Sequence, residues 1–140
     1  MVHEREFARD LAREVLSRMM VDGGPAWRVL GVDRYEEKTP PFTDPDGIHH
    51  LRITLGKAPD NADAGGVYFT VGVSREDAIV ATANQIQDHV VEATRGAALP
   101  ACPGHQHPLS ATWLDGRASW VCPKDPAHHS EPILRAPENG

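Results

Sequence analysis

The sequence contains no run of apolar residues that approaches the roughly 20 needed to span a membrane. It also lacks an excess of positive charge: 14 Lys and Arg residues stand against 20 Asp and Glu residues, which gives a formal net charge of -6 at pH 7. Proteins that bind duplex nucleic acid or anionic membranes usually present a basic surface. The composition therefore argues against a membrane protein and against nucleic-acid binding.

Cysteine is scarce, because the chain has only Cys102 and Cys122. Residues 1–6 are charged and open an amphipathic helix, which is not the pattern of a signal peptide, so we expect a cytoplasmic protein. In that reducing compartment two cysteines are more often metal ligands or plain thiols than a disulfide. Familiar motifs are missing too: there is no GxGxxG after a strand, no Walker A sequence, no HExxH and no zinc-deaminase pattern.

The first part of the chain alternates between helical and strand-like patterns. No crossover helix separates three strand-like segments, so they predict an antiparallel meander, with Gly31 marking a bulge in the first strand. Two amphipathic helices supply the cover that one face of such a sheet needs. The predicted segments are a first helix over residues 3–20, strands over 26–35, 48–56 and 67–73, and a second helix that begins at Ser74 and ends at Gly96 or shortly after.

The second helix has the clearest pattern. Ser74 is its predicted N-cap, with Asp77 in the capping-box position. An apolar seam follows at steps of four and three residues, and it predicts a helix laid across the sheet. Pairing of two copies through the seam is the alternative, so a homodimer is a second expectation. The seam consists of Ile79, Ala83, Ile86, Val90, Ala93 and Ala97.

Two polar connections separate the predicted strands. Asp44 and Asp46 lie in the first connection, residues 36–47, but the full spacing of a calcium loop and its terminal Glu are missing. Residues 57–66 have the Gly, Ala, Asn and Asp content of a mobile connection. The sequence therefore predicts an α+β fold with an α-β-β-β-α body over residues 1–97.

Residues 98–130 carry the signature of a β-hairpin. Asp115-Gly116 stands between two strand-like runs and is the strongest two-residue signal for a type I′ turn. The turn sets Trp113 and Trp120 diagonally on one face, and it brings two Cys-Pro ends together. The predicted pairs are Leu114 with Arg117, Trp113 with Ala118, Ala111 with Trp120, and Leu109 with Cys122.

The two Cys-Pro ends are arranged like the two halves of a zinc ribbon, each of which offers ligands on a turn. Cys102-x-x-His105 forms the first half, and Cys122-x-x-Asp125 starts the second. Zinc takes four N, S or carboxylate ligands tetrahedrally, and imidazole is the commoner ligand beside thiolate. We therefore predict zinc at Cys102, His105, Cys122 and His128. The fourth position stays open among Asp125, His128, His129 and His107, and His107 is equally able to displace His105.

The run Cys102-Pro-x-His105-x-His107-Pro-Leu109, followed by Asp115-Gly116 and by Trp120-Val121-Cys122-Pro123, resembles a segment near the C-terminus of many small, uncharacterised proteins of high-GC actinobacteria. The preceding helix, with Asn84-Gln85-Ile86-Gln87-Asp88, is similar as well. The resemblance covers roughly residues 77–123. It implies that the motif is real, and it brings no established activity.

The sequence as a whole favours a small zinc-binding, non-enzymatic protein-interaction module or adaptor with an unidentified protein partner. One alternative is a metal-dependent hydrolase, which would use an open zinc position and a nearby acid or His as general base. The other is a metal-free protein with structural thiols. From residue 131 onward we predict a flexible tail, with Ile133 and Leu134 able to dock.

Overall fold

The structure is a computed structural model that describes residues 2–20, 26–35 and 49–134. The α+β class and the α-β-β-β-α order are confirmed, with a second small sheet after the body. Neither described helix is both long and apolar enough to cross a membrane. The elements are α1 (Val2–Met19), β1 (Trp27–Tyr35), β2 (His49–Lys57), β3 (Ala62–Val71), α2 (Arg75–Ala93), β4 (Ser110–Leu114), β5 (Arg117–Val121) and β6 (Ser130–Pro132).

The first sheet is the predicted antiparallel meander, in the order β1-β2-β3. The bulge predicted at Gly31 is confirmed, since the register shifts between Val29 and Gly31. The loop with Asp44 and Asp46 lies outside the described residues, so the calcium interpretation stays untested.

The predicted bounds of the third strand were wrong at both ends. β3 begins at Ala62, inside the segment predicted as a mobile connection. Its first residues are small or polar and exposed, so they show no apolar alternation that a sequence pattern detects. At the other end β3 stops at Val71, and Val73, the last residue of the predicted strand, is 39% exposed. Gly72 has a φ of 104°, a left-handed conformation that turns the chain out of the strand before Val73.

Helix α2 begins as predicted and ends earlier. The Ser74 hydroxyl accepts a hydrogen bond from the Asp77 backbone N–H at 3.2 Å, which confirms the N-cap. The helix ends at Ala93, and Gly96 follows in the left-handed conformation with a φ of 88°. The central part of the apolar seam is buried by the chain's own elements, α1, β3, β4 and β5. The buried residues of the helix are Ala78, Ile79, Thr82, Ala83, Ile86 and Val90.

The second sheet contains the predicted hairpin in the predicted register. Leu114 pairs with Arg117, Trp113 with Ala118, and Ala111 with Trp120. The ladder ends at Ser110 and Val121, so it does not include the predicted pair of Leu109 with Cys122, whose N–H groups donate to Pro100 and His129 instead. Asp115 and Gly116 have φ values of 52° and 77°, which is the pair of positive values that a type I′ turn requires.

Strand β6 adds a third strand where the sequence predicted the start of a flexible tail. Ser130–Pro132 pairs with β5, and the Ile133 N–H donates to the Ala118 carbonyl at 3.1 Å. Ile133 is only 2% exposed and belongs to the core, so this residue docks, as the sequence analysis allowed. Residues 135–140 lie outside the described part of the chain.

The two tryptophans of the hairpin have different environments. Trp120 is completely buried, whereas Trp113 is 48% exposed near the turn. The shared face predicted for the two rings is therefore split between the core, which takes Trp120, and solvent, which reaches Trp113. The C-terminal sheet lies against α2, and that packing buries the inner end of the hairpin.

Two glutamines of α2 connect the helix to both sheets. The Gln85 amide pairs with the backbone of Tyr68 on β3, accepting from its N–H at 2.9 Å and donating to its carbonyl at 2.8 Å. The Gln87 amide nitrogen donates to the carbonyls of Leu99 and Leu109 at 3.1 and 2.6 Å. Buried residues from residues 1–97 and from the C-terminal segment form one connected core.

Replacing Gln87 with Ala is expected to lower the free energy of unfolding by about 1–3 kcal/mol, because two half-buried carbonyls lose their donor. Chemical denaturation in urea measures the change. Asp88→Ala, an exposed neighbour on the same helix, is the control and should stay within about 0.5 kcal/mol of wild type. Equal losses in the two variants would contradict the role given to the Gln87 amide.

Candidate metal centre

The first wall of the centre is a closed turn between Ala101 and Pro108, which form an isolated antiparallel bridge. Inside it, the Cys102 N–H donates to the His107 carbonyl at 3.3 Å, and the His105 N–H donates to the Cys102 carbonyl at 3.1 Å. Gly104 takes a φ of 79°, which a residue with a Cβ adopts only with strain. The turn therefore directs the side chains of Cys102, His105 and His107 to one place.

The second wall is the end of β5. Cys122 directly follows the strand, and its N–H donates to the His129 carbonyl at 2.9 Å, which closes a loop over residues 123–128. Within that loop the Asp125 carboxylate accepts from the Ala127 N–H at 3.0 Å. The hairpin thus brings Cys122 to the turn that carries Cys102, as the sequence predicted.

Four side chains meet between these walls: Cys102, His105, His107 and Cys122. One ligand atom from each lies within 4.8 Å of all the others. The His105 Nδ1 atom is 3.5 Å from the Cys102 Sγ, 3.7 Å from the Cys122 Sγ and 3.0 Å from the His107 Nε2. Both cysteines are free and buried. This Cys2His2 group is able to hold a metal ion.

The electrostatics of the group favour neutral donors. Burial raises the pKa of the Cys102 thiol, and the adjacent Cys122 raises it further. Partial desolvation lowers the pKa of His105, and the neighbouring His128, His107 and Lys124 lower it further. Without a cation the Cys102 thiol and the His105 imidazole are therefore biased toward their uncharged forms, whereas a bound cation stabilises a thiolate that ligates it.

Three of the four predicted ligands, Cys102, His105 and Cys122, lie in the group. The structure places His107 there, which the sequence had ranked as a competitor, and not His128. The His128 Nε2 atom is instead 2.6 Å from the Pro103 carbonyl oxygen, and its ring stacks on that of His105 with centroids 4.2 Å apart. Spacing alone did not separate His107 from His128, because residues 105–107 form bends and not a strand with a fixed alternation of side chains.

The other candidates for the fourth position have different partners. The Asp125 carboxylate is used within its own loop, as described above. The His129 Nε2 lies 3.0 Å from a Glu131 carboxylate oxygen, and that carboxylate also pairs with Arg18 of α1. Asp125 therefore stabilises its own loop, and His129 supports the contact that Glu131 of β6 makes with Arg18 of α1.

Comparisons of the chain with protein-family models, curated proteins and solved structures found no match. The resemblance to small actinobacterial proteins therefore stays a prediction, and the candidate centre is supported by its own geometry.

Gly104→Ala is expected to destabilise the protein by about 1–2 kcal/mol, the cost of a left-handed conformation in a residue with a Cβ. The added Cβ would meet only the His128 ring at an ordinary 3.8 Å, so crowding contributes little. Gly104→Asn is the control, because Asn adopts this conformation more readily. Urea unfolding measures both, and an alanine variant as stable as wild type would contradict the strain.

Proposed function

We propose that the chain binds one zinc ion at Cys102, His105, His107 and Cys122, and that this ion is structural. The distances among the donors carry the proposal. With Zn–S and Zn–N bonds of about 2.3 and 2.05 Å, a tetrahedral site has S–N edges of about 3.6 Å and an N–N edge of about 3.3 Å. The corresponding distances from the His105 Nδ1 are 3.5 and 3.7 Å to sulfur and 3.0 Å to nitrogen.

The chemistry of the donors also supports zinc. Two thiolates and two imidazoles suit zinc and exclude magnesium and calcium, which take oxygen ligands. The His107 ring presents its Nε2 to the group, while its Nδ1 lies 3.2 Å from the Pro108 carbonyl oxygen. A metal-binding imidazole usually makes such a contact with its second nitrogen, which sets the tautomer and the orientation of the ring.

A structural role fits better than catalysis because the protein itself offers four donors. A hydrolytic zinc site keeps three protein ligands and leaves the fourth position to water. Here the two sulfur atoms are buried, and the four donors account for a complete tetrahedron. The ion would join the Cys102–His107 turn to the end of β5, and so clip the small C-terminal sheet to the segment that precedes it.

Elemental analysis of the purified protein is expected to find about one zinc per chain, and Co²⁺ substitution should give the absorption of a tetrahedral site with thiolate-to-cobalt charge transfer. Cys102→Ser, Cys122→Ser and His107→Ala should each weaken binding more than about 100-fold, which is the upper range for losing a supporting contact alone. Removal of the ion with a chelator should lower the melting temperature.

His129→Ala is the matched control, since its imidazole contacts Glu131 and not the metal group. It should bind zinc as wild type does. A wild-type chain with two free thiols and no metal would overturn the zinc proposal and favour the metal-free alternative. If His107→Ala binds zinc with wild-type affinity, His107 is not the fourth zinc ligand. Another residue would then be considered for that position, together with the catalytic alternative.

We further propose that the clipped sheet serves as a surface for a protein partner, in a non-enzymatic adaptor. Trp113 supports this, because it is a large aromatic residue that stays 48% exposed on β4, the edge strand of its sheet. Tryptophan is enriched at the centres of protein interfaces, where one ring contributes a large apolar area.

Trp113→Thr is expected to abolish capture of the partner while leaving the melting temperature and the zinc content unchanged, because the side chain contributes little to the core. Leu30→Thr is the control, since Leu30 is a similarly exposed apolar residue, 39% accessible, on the other sheet. Affinity capture with quantitative mass spectrometry compares the three proteins. Equal capture by both variants would remove Trp113 from the proposed interface.

A further inference from the structure

The four donors of the metal centre are not equally protected from solvent. Cys102 and Cys122 are 2% and 0% exposed, and His107 is half-buried. His105 is exposed, although its Nδ1 is the atom that contacts the other three donors. A ligand that enters or leaves the coordination sphere from solvent would therefore do so at His105.

One loop lies over that ligand. We name residues 123–128 the cover loop, because they leave β5 after Cys122 and lead back toward β6. Its base is held by the hydrogen bond from the Cys122 N–H to the His129 carbonyl. Its far end contacts the first turn through His128, whose Nε2 lies 2.6 Å from the Pro103 carbonyl oxygen.

The ring of His128 is placed against His105 by the backbone of the cover loop. The His128 N–H donates to the Asp125 carbonyl at 2.9 Å, which forms a tight turn that points the imidazole back over the centre. The rings of His128 and His105 are stacked, with centroids 4.2 Å apart and an angle of 26° between their planes. The His128 ring also lies directly over Gly104, since a Cβ built there would be at an ordinary contact distance of 3.8 Å from the ring.

We propose that His128 is not a ligand but the cover that controls how fast the metal exchanges. This inference rests on the zinc site proposed above. For the metal to leave, the His105 imidazole has to turn away from it, and the stacked His128 ring blocks that rotation until the cover loop opens. Opening breaks the hydrogen bond to Pro103 and the ring stack together.

Metal exchange is the measurement that separates a cover from a ligand. Stopped-flow transfer of zinc to a chromophoric chelator gives the release rate, and mixing of metal-free protein with Zn²⁺ gives the uptake rate. In His128→Ala both rates are expected to rise about tenfold, a factor that corresponds to about 1.4 kcal/mol. Their ratio, the affinity, should stay unchanged, because the cover closes over the metal-free and the metal-bound centre alike.

His128→Phe keeps a ring for the stack and removes the hydrogen bond, so it should accelerate both rates by a smaller factor. His129→Ala, the next residue in the chain, should leave the rates at the wild-type values. Co²⁺ spectra of all three variants should retain the band of a Cys2His2 site, which also shows that each variant folds around its metal.

Each other outcome is decisive. Wild-type rates of zinc release and uptake in His128→Ala would overturn the proposal that His128 is a cover. If the Co²⁺ spectrum of His128→Ala indicates one nitrogen ligand fewer than in wild type, His128 is a ligand, and its role as a cover is overturned. If the wild-type chain binds no zinc, the zinc proposal is overturned and the cover proposal fails with it. The two failures are distinguishable, because the first is seen in the wild-type protein and the second only in the variants.

Discussion

The burial of helix α2 on two sides is the constraint on which the rest of the structure depends. One side packs against β3 and α1, and another packs against β4 and β5 of the second sheet. Small residues such as Ala78 and Ala83 allow this close approach, while Ile79, Ile86 and Val90 fill the space between the layers. Each sheet has only three strands and buries little apolar surface alone, so a helix shared between them gives one continuous core.

The candidate metal centre depends indirectly on that packing. Gln87 of α2 binds the carbonyls of Leu99 and Leu109, which flank the turn that carries three of the four donors. The remaining donor, Cys122, is placed by a strand that also packs on α2. The helix therefore aligns the two separate pieces of chain that carry the donors, and donors already held close together need little rearrangement to bind a cation.

Sequence patterns predicted the fold wherever apolar periodicity or turn chemistry was strong. The Asp115-Gly116 signal predicted every ladder pair that Leu114, Trp113 and Ala111 make, because a two-residue turn leaves no freedom of register. The patterns failed where packing decides. Nothing local in the sequence shows that Trp120 is completely buried, or that Ser130–Pro132 extends the second sheet.

The candidate site was predicted for the three donors whose positions follow from the hairpin, and its fourth member could not be chosen from spacing. His107 and His128 are both close to the centre, and the choice depends on which ring nitrogen the backbone directs inward. Such an orientation is set by two hydrogen bonds, to the carbonyls of Pro108 and Pro103. Residue type and interval carry no information on either bond.

The amide of Gln85 has a consequence for how the protein behaves in a crowded solution. β3 is an edge of its sheet, and an edge strand normally offers unpaired backbone groups to any other extended chain. At Tyr68 the glutamine supplies both the acceptor and the donor that an incoming strand would supply. A strand from another molecule would first have to displace this side chain, so the helix protects this edge from fibril-like association.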